Sequence, residues 1–138
     1  MSLRSLSGQI ELNASAEKVF QYFTDTDQFA NLLPQSLRLR ILRRSARHLS
    51  QGASLEIKTS LFMAPIRWRL YVQSFSHARH IACLWEYGSF FSLELNDYFE
   101  SLPKNQTRVT DCVLYRVPWG PVGKGIDRLW MRHRLQRI

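Results

Sequence analysis

Six consecutive segments of this chain alternate apolar and polar residues with a period of two, and this run constrains the fold more than any other feature. Successive side chains of an extended strand point to opposite faces, so such alternation describes strands buried on one side only. The segments are 36–44, 54–61, 66–75, 81–87, 91–99 and 107–117. In the first three, Leu37, Leu39 and Ile41, then Leu55, Ile57 and Thr59, then Ile66, Trp68, Leu70 and Val72 share a face. In the last three, the shared faces hold Ile81, Cys83, Trp85 and Tyr87, then Phe91, Leu93, Leu95, Asp97 and Phe99, then Val109, Asp111, Val113, Tyr115 and Val117. The joints are rich in turn formers: Gln51-Gly-Ala, Ala64-Pro, Gly88-Ser and Pro103-Lys-Asn. Short strands separated by tight turns predict an antiparallel meander.

The flanks differ. Residues 7–13 alternate around Ile10 and Leu12 and predict a further strand. Ser15 then stands as the N-cap of a helix whose stripe is Val19, Phe20 and Phe23. Thr24-Asp-Thr-Asp27 breaks it and offers a second cap. A short helix with Phe29, Leu32 and Leu33 follows and ends at Pro34. At the other end, Pro118-Trp-Gly-Pro-Val-Gly is a hinge of restricted backbone. A long helix is predicted from about Val122 to Ile138, with Val122, Ile126, Leu129, Trp130 and His133 on one face and Arg128, Arg132, Arg134 and Arg137 mostly away from it. The only apolar surface left for that face is the inner side of the sheet.

The length of 138 residues fits a single domain over 1–138. No apolar run approaches the ~18 residues of a membrane span, and the N-terminus has no apolar signal core, so a soluble, cytoplasmic protein is expected. Cys83 and Cys112 fall in strands and read as structural thiols, with no pattern for a disulfide framework or a metal. The net charge of +8 favours anionic partners.

Three stretches bear a family likeness. They are Ser15-Ala-Glu-Lys-Val-Phe-Gln-Tyr-Phe-Thr-Asp; Gly52 with the strand after it and Ile66-Arg-Trp-Arg; and Thr107-Arg-Val-Thr-Asp-Cys-Val-Leu-Tyr-Arg-Val-Pro-Trp-Gly-Pro-Val-Gly, followed by Asp127-Arg-Leu. With the element order, they resemble the START / polyketide cyclase (SRPBCC) superfamily, and within it a bacterial ligand-binding branch. The resemblance implies an α+β, helix-grip (Bet v 1-like, START-like) fold. In that fold a curved antiparallel sheet of about seven strands carries two short helices and is closed by the long C-terminal helix. Where members of the branch often carry Trp and His along the sixth strand, this chain has Leu93, Leu95 and Asp97, so no histidine role transfers. The predicted helix also stops at Ile138, earlier than in relatives, which implies a shorter lid or an incomplete chain.

The resemblance implies binding of a hydrophobic small molecule: a lipid, polyketide, isoprenoid or quinone, or aromatic metabolite. The walls would come from Trp68, Trp85, Phe91, Leu93, Leu95, Val113 and Tyr115 on the sheet, and from Ile126, Leu129, Trp130 and His133 on the helix. Tyr71 is a further aromatic candidate. Asp111 shares its strand face with Val109, Val113 and Tyr115, so it points inward, to orient a ligand's polar end, pair with an arginine or cap backbone groups. Asp97 follows the same logic on the neighbouring strand, at an unknown register. An enzyme would use Asp111, Asp97 or His133 as acid or base, but no nucleophile motif names a reaction and no cofactor or metal is called for. The reading therefore leans towards a binding module. His48, His77 and His80 fall in or beside turns and read as surface residues. The basic run Arg38, Arg40, Arg43, Arg44 and Arg47, with the helix arginines, reads either as a solvated face or as a peripheral contact with an anionic membrane. Nucleic acid is disfavoured, because no aromatics interleave with the arginines. Oligomeric state is left open.

Overall fold

A computed structural model of the protein describes residues 2–32, 35–61, 63–88 and 91–117. The helix expected from Val122 to Ile138, with Ile126, Leu129, Trp130 and His133, lies outside the described residues, as do Leu33 and Pro34.

Seven strands form one antiparallel sheet: β1 (Ser2–Leu12), β2 (Arg40–Arg44), β3 (Ser54–Leu61), β4 (Ala64–Ser76), β5 (His80–Tyr87), β6 (Phe91–Leu102) and β7 (Gln106–Val117). Their order is β1-β7-β6-β5-β4-β3-β2, so β2 to β7 run as a meander and the first strand closes on the last. The strand bounds follow from the alternation. β3 has the expected limits, and Leu55, Ile57 and Thr59 are buried. β4 and β6 extend past the expected segments at both ends and at the C-terminal end respectively.

One strand is shorter than the sequence predicts. Residues 35–37 form a 3-10 turn, and Arg38 has a left-handed φ of 47°, which breaks the extended chain; β2 therefore starts at Arg40 and not at Ser36. β1, by contrast, begins at Ser2, well before residue 7, because every residue to Leu12 finds a partner on β7.

Between β1 and β2 lie α1 (Ala16–Thr24), a 3-10 turn (Thr26–Gln28) and α2 (Phe29–Leu32). Ser15 caps α1 by accepting from the Lys18 N–H. Asp25 caps the following turn by accepting from the Asp27 N–H. The buried stripe Val19, Phe20 and Phe23 packs on the sheet. Phe20 and Phe23 meet Phe99 of β6 edge to face, with centroids 5.1 and 5.2 Å apart. Phe20 also meets Phe75 of β4 at 5.3 Å.

The β2–β3 loop is tied to this helical corner. The Leu49 N–H donates to the Thr24 carbonyl at 2.8 Å, and the Thr26 N–H and hydroxyl donate to the Arg47 carbonyl at 2.9 and 2.7 Å. Arg47 grips Asp25 with two nitrogens, at 3.2 and 3.1 Å, and Arg44 reaches Asp27 at 2.7 Å. The Arg47 guanidinium holds the Asp25 carboxyl below the usual carboxylate range, against the opposing effect of burial.

Candidate functional site

Antiparallel pairing divides the inner face into two zones. One zone lies under α1, around Phe99 and Val109. The other lies towards the end of the sheet where β3 turns into β4, β5 turns into β6 and β7 finishes. The α1 rings contact Phe99 and Phe75, which belong to the first zone.

The second zone is aromatic. Trp68 stands 6.1 Å from Trp85, 6.0 Å from Tyr87 and 5.6 Å from Phe91, mostly in edge-to-face arrangements. Its indole N–H donates to the Thr59 hydroxyl at 2.9 Å, so the polar tip of the ring is satisfied by a neighbouring strand. Trp85 opposes Leu93, Leu93 opposes Tyr115, and Leu95 opposes Val113. Trp85, Leu93, Leu95, Val113 and Tyr115 are buried, while Trp68 and Phe91 are half-buried. All seven sheet residues predicted for the walls thus lie on one face and in adjoining rows.

Between the zones lies the polar feature of the interior. Asp97 of β6 and Asp111 of β7 oppose each other directly in the register. Their relative exposures are 3% and 1%, which makes Asp111 one of the most buried side chains described. Directly opposed residues have Cβ atoms about 5 Å apart, so the two carboxyl groups are neighbours. On the far side of Asp111 stands Gly8 of β1, and on the far side of Asp97 stands Ile81 of β5. The row therefore has no side chain at one flank of the carboxyl pair and an apolar one at the other. Cys112, next in the chain, has its thiol pushed up by partial burial, with the charges of Asp111 and Asp97 adding to the effect.

Other expectations fall elsewhere. Tyr71 is 37% exposed, because Leu70 beside it takes the inner face and alternation turns Tyr71 outward. His48 is exposed, and its backbone forms an isolated antiparallel β-bridge with that of Asp25. His77 is exposed, 3.8 Å from Glu17, with its ring 5.4 Å from Phe20. His80 opens β5 partly exposed, stacks on the exposed Tyr98 at 4.6 Å and bonds Asn96 at 2.9 Å. Both cysteines are free thiols. Among the described residues, no three His, Cys, Asp or Glu side chains cluster to hold a metal, and no helix is long and apolar enough to cross a membrane. A cavity of about 480 Å³ is lined by Leu42, Glu56, Arg67, Arg69 and Glu86, with charges of both signs, together with Trp68, Tyr87 and Gly88.

The basic run of the sequence does not act as a unit. Arg44 and Arg47 are engaged by Asp25 and Asp27, and Arg43 opposes Glu56. Only Arg38 and Arg40 of the five lack an acidic neighbour across the register or in an ion pair among the described residues.

A seven-stranded antiparallel sheet whose first strand closes on its last, with two short helices after β1, is a START-like fold. The START superfamily protein from Mycobacterium smegmatis superposes with a TM-score of 0.72 at 18% identity, over 96% of this chain and 92% of that one. An aromatase/cyclase from a Streptomyces species gives 0.70 at 14% identity, over 96% and 87%. Norcoclaurine synthase from Thalictrum flavum gives 0.70 at 12% identity, over 99% and 82%. At these identities the likeness is one of fold. No protein-family profile matches the sequence, and no curated protein matches it.

Proposed function

We propose that the protein, as one START-like unit over residues 1–138, binds a hydrophobic small molecule against the inner face of its sheet. The ligand class is a lipid, polyketide, isoprenoid or quinone, or aromatic metabolite. One observation carries the reading: the aromatic zone of Trp68, Trp85, Tyr87 and Phe91 lies beyond the rings that α1 contacts. Small-molecule sites combine apolar walls with a few convergent polar groups. Leu93, Leu95, Val113 and Tyr115 supply the floor, and Asp111 with Tyr115 orients a hydroxyl or carbonyl of the ligand. Ile126, Leu129, Trp130 and His133 complete the walls from the C-terminal segment. The solved structures of like fold include an aromatase/cyclase and a norcoclaurine synthase, which is consistent with such a site.

The test is extraction and native mass spectrometry of the purified protein, followed by thermal shifts across a lipid and quinone panel. A stoichiometric apolar ligand, or a shift abolished by Trp68→Ala, supports binding. No ligand and no shift across the panel refutes it.

A second reading is favoured by the direct opposition of Asp97 and Asp111. Two adjacent buried carboxyls are a recurring acid/base arrangement, and an enzyme of cyclase or hydrolase type would use Asp111, Asp97 or His133. Loss of turnover in Asp111→Asn with ligand binding retained would establish it. Wild-type turnover in both Asp111→Asn and Asp97→Asn would eliminate the carboxyl pair as its acid and base.

A further inference from the structure

The outer face of β2, β3 and β4 carries two rows of charge with opposite character. In one row Arg43, Glu56, Arg69 and Glu86 oppose one another in turn across four strands, so signs alternate. In the next row Arg40 opposes Lys58, and Lys58 opposes Arg67. This row is entirely cationic and makes no ion pair among the described residues. Like charges directly opposed across strands are unfavourable, and the sheet holds three in line. Neighbouring strands lie about 4.8 Å apart, so the row is a strip about 10 Å long.

The row lies near one end of the sheet. Lys58 and Arg67 are three residues from the close of the β3–β4 hairpin at Leu61 and Ala64, about 10 Å along the strands. That hairpin carries Met63, which is 97% exposed, the most exposed of the large apolar side chains described. Leu42, 42% exposed, stands on β2 at the register shift that separates the two rows. The exposed tyrosines are elsewhere: Tyr71 lies two rows further along β4, and Tyr98 on β6.

We propose that this end of the sheet docks on an anionic lipid bilayer, with Arg40, Lys58 and Arg67 against headgroup phosphates and Met63 entering the interface. The occupant follows from the mixture. Cations alone would suit any polyanion, but a fully exposed apolar tip beside them suits a surface that is charged outside and apolar beneath. A single-stranded polynucleotide would want aromatic rings next to the cations, and among the described residues the exposed rings, Tyr71 and Tyr98, lie elsewhere. The same end of the sheet holds the inner-face cluster of Trp68, Tyr87 and Phe91. A bilayer docked here therefore faces the zone an apolar ligand would have to reach. The docking itself stands whether or not that zone binds one.

The experiment is co-sedimentation of the full chain with vesicles of phosphatidylcholine, with and without phosphatidylserine, at low and raised salt. Each juxtaposed cation contributes about fivefold in partitioning to an anionic surface. The triple variant Arg40→Gln, Lys58→Gln, Arg67→Gln is expected to lose about a hundredfold. A control triple, Lys18→Gln, Arg79→Gln, Lys104→Gln, removes the same charge from exposed positions at the opposite end of the sheet, and should retain most binding. Met63→Ser should lose severalfold at unchanged charge. Unchanged melting of each variant confirms folding. Equal losses in the two triples would overturn the proposal in favour of net charge alone. So would wild-type binding to phosphatidylcholine alone, or binding to a single-stranded polynucleotide in preference to anionic vesicles.

Discussion

Phe99→Ala tests the division of the inner face directly. Phe99 is 5% exposed and receives both α1 rings, Phe20 at 5.1 Å with planes 82° apart and Phe23 at 5.2 Å and 79°. Truncating a buried Phe costs about 4 kcal/mol in all, from lost burial, the cavity left and the ring contacts removed. Each edge-to-face pair contributes about 1 kcal/mol beyond area, so roughly half of that loss is specific to the rings. In urea, with a slope of about 2 kcal/mol/M for a chain this size, the midpoint should fall by about 2 M at unchanged slope. Phe99→Leu keeps most apolar volume and should cost about 2 kcal/mol. A double-mutant cycle with Phe20→Leu should return a coupling of about 1 kcal/mol. A Phe99→Ala cost under about 1.5 kcal/mol would mean that α1 is not seated on β6. A cycle that closes to zero would mean that the ring geometry adds nothing to burial.

Three further outcomes are expected. Asp25 titrates below its usual value near 3.8 when folded, because Arg47 binds its charged form. Between the two values the unfolded chain binds more protons, so this contribution is complete above the unfolded pKa and is lost as pH falls through the folded one. Urea melts from neutral to strongly acid pH should lose stability less steeply in Arg47→Met than in the wild type, and equal slopes would refute the link. Thr59→Val removes the acceptor of the Trp68 indole N–H at 2.9 Å and should cost about 1–2 kcal/mol in a urea melt; no cost would mean that water replaces the hydroxyl. The Cys112 thiol, raised by burial and then by Asp111 and Asp97, should alkylate more slowly than a free thiol, and Asp111→Asn should speed it modestly. A rate equal to that of a free cysteine in the wild type would contradict this.

The alternation along each strand was enough to place Asp97 and Asp111 inward, because facing depends only on period. Their opposition was not legible, because register depends on the turn. The β6–β7 connection is a 3-10 turn in which Lys104 and Asn105 both take left-handed φ, 62° and 57°. That geometry puts Asp97 and Asp111 equally far from Lys104, a relation the sequence contains but does not announce. The cationic row was hidden for the same reason. Reading along the chain collected Arg38 to Arg47, although acids from the α1–α2 corner engage two of them. Reading across the hairpin would have joined Lys58 and Arg67, which lie equally far from its centre. Tyr71 faces outward by the same alternation, since the inner face belongs to its neighbour Leu70.

The closure of β1 on β7 has a consequence in time as well as space. Ser2 pairs with Val117 and Leu12 with Thr107, so β1 leaves the ribosome well before its partner and has none until almost the whole sheet has been made. Pairings this distant in sequence carry a large loop-closure cost and slow folding. Until β7 arrives, β1 is a loose strand and β6 an open edge, each able to pair with another chain. Slow decoding before the β7 codons should lengthen that interval and raise the aggregated fraction.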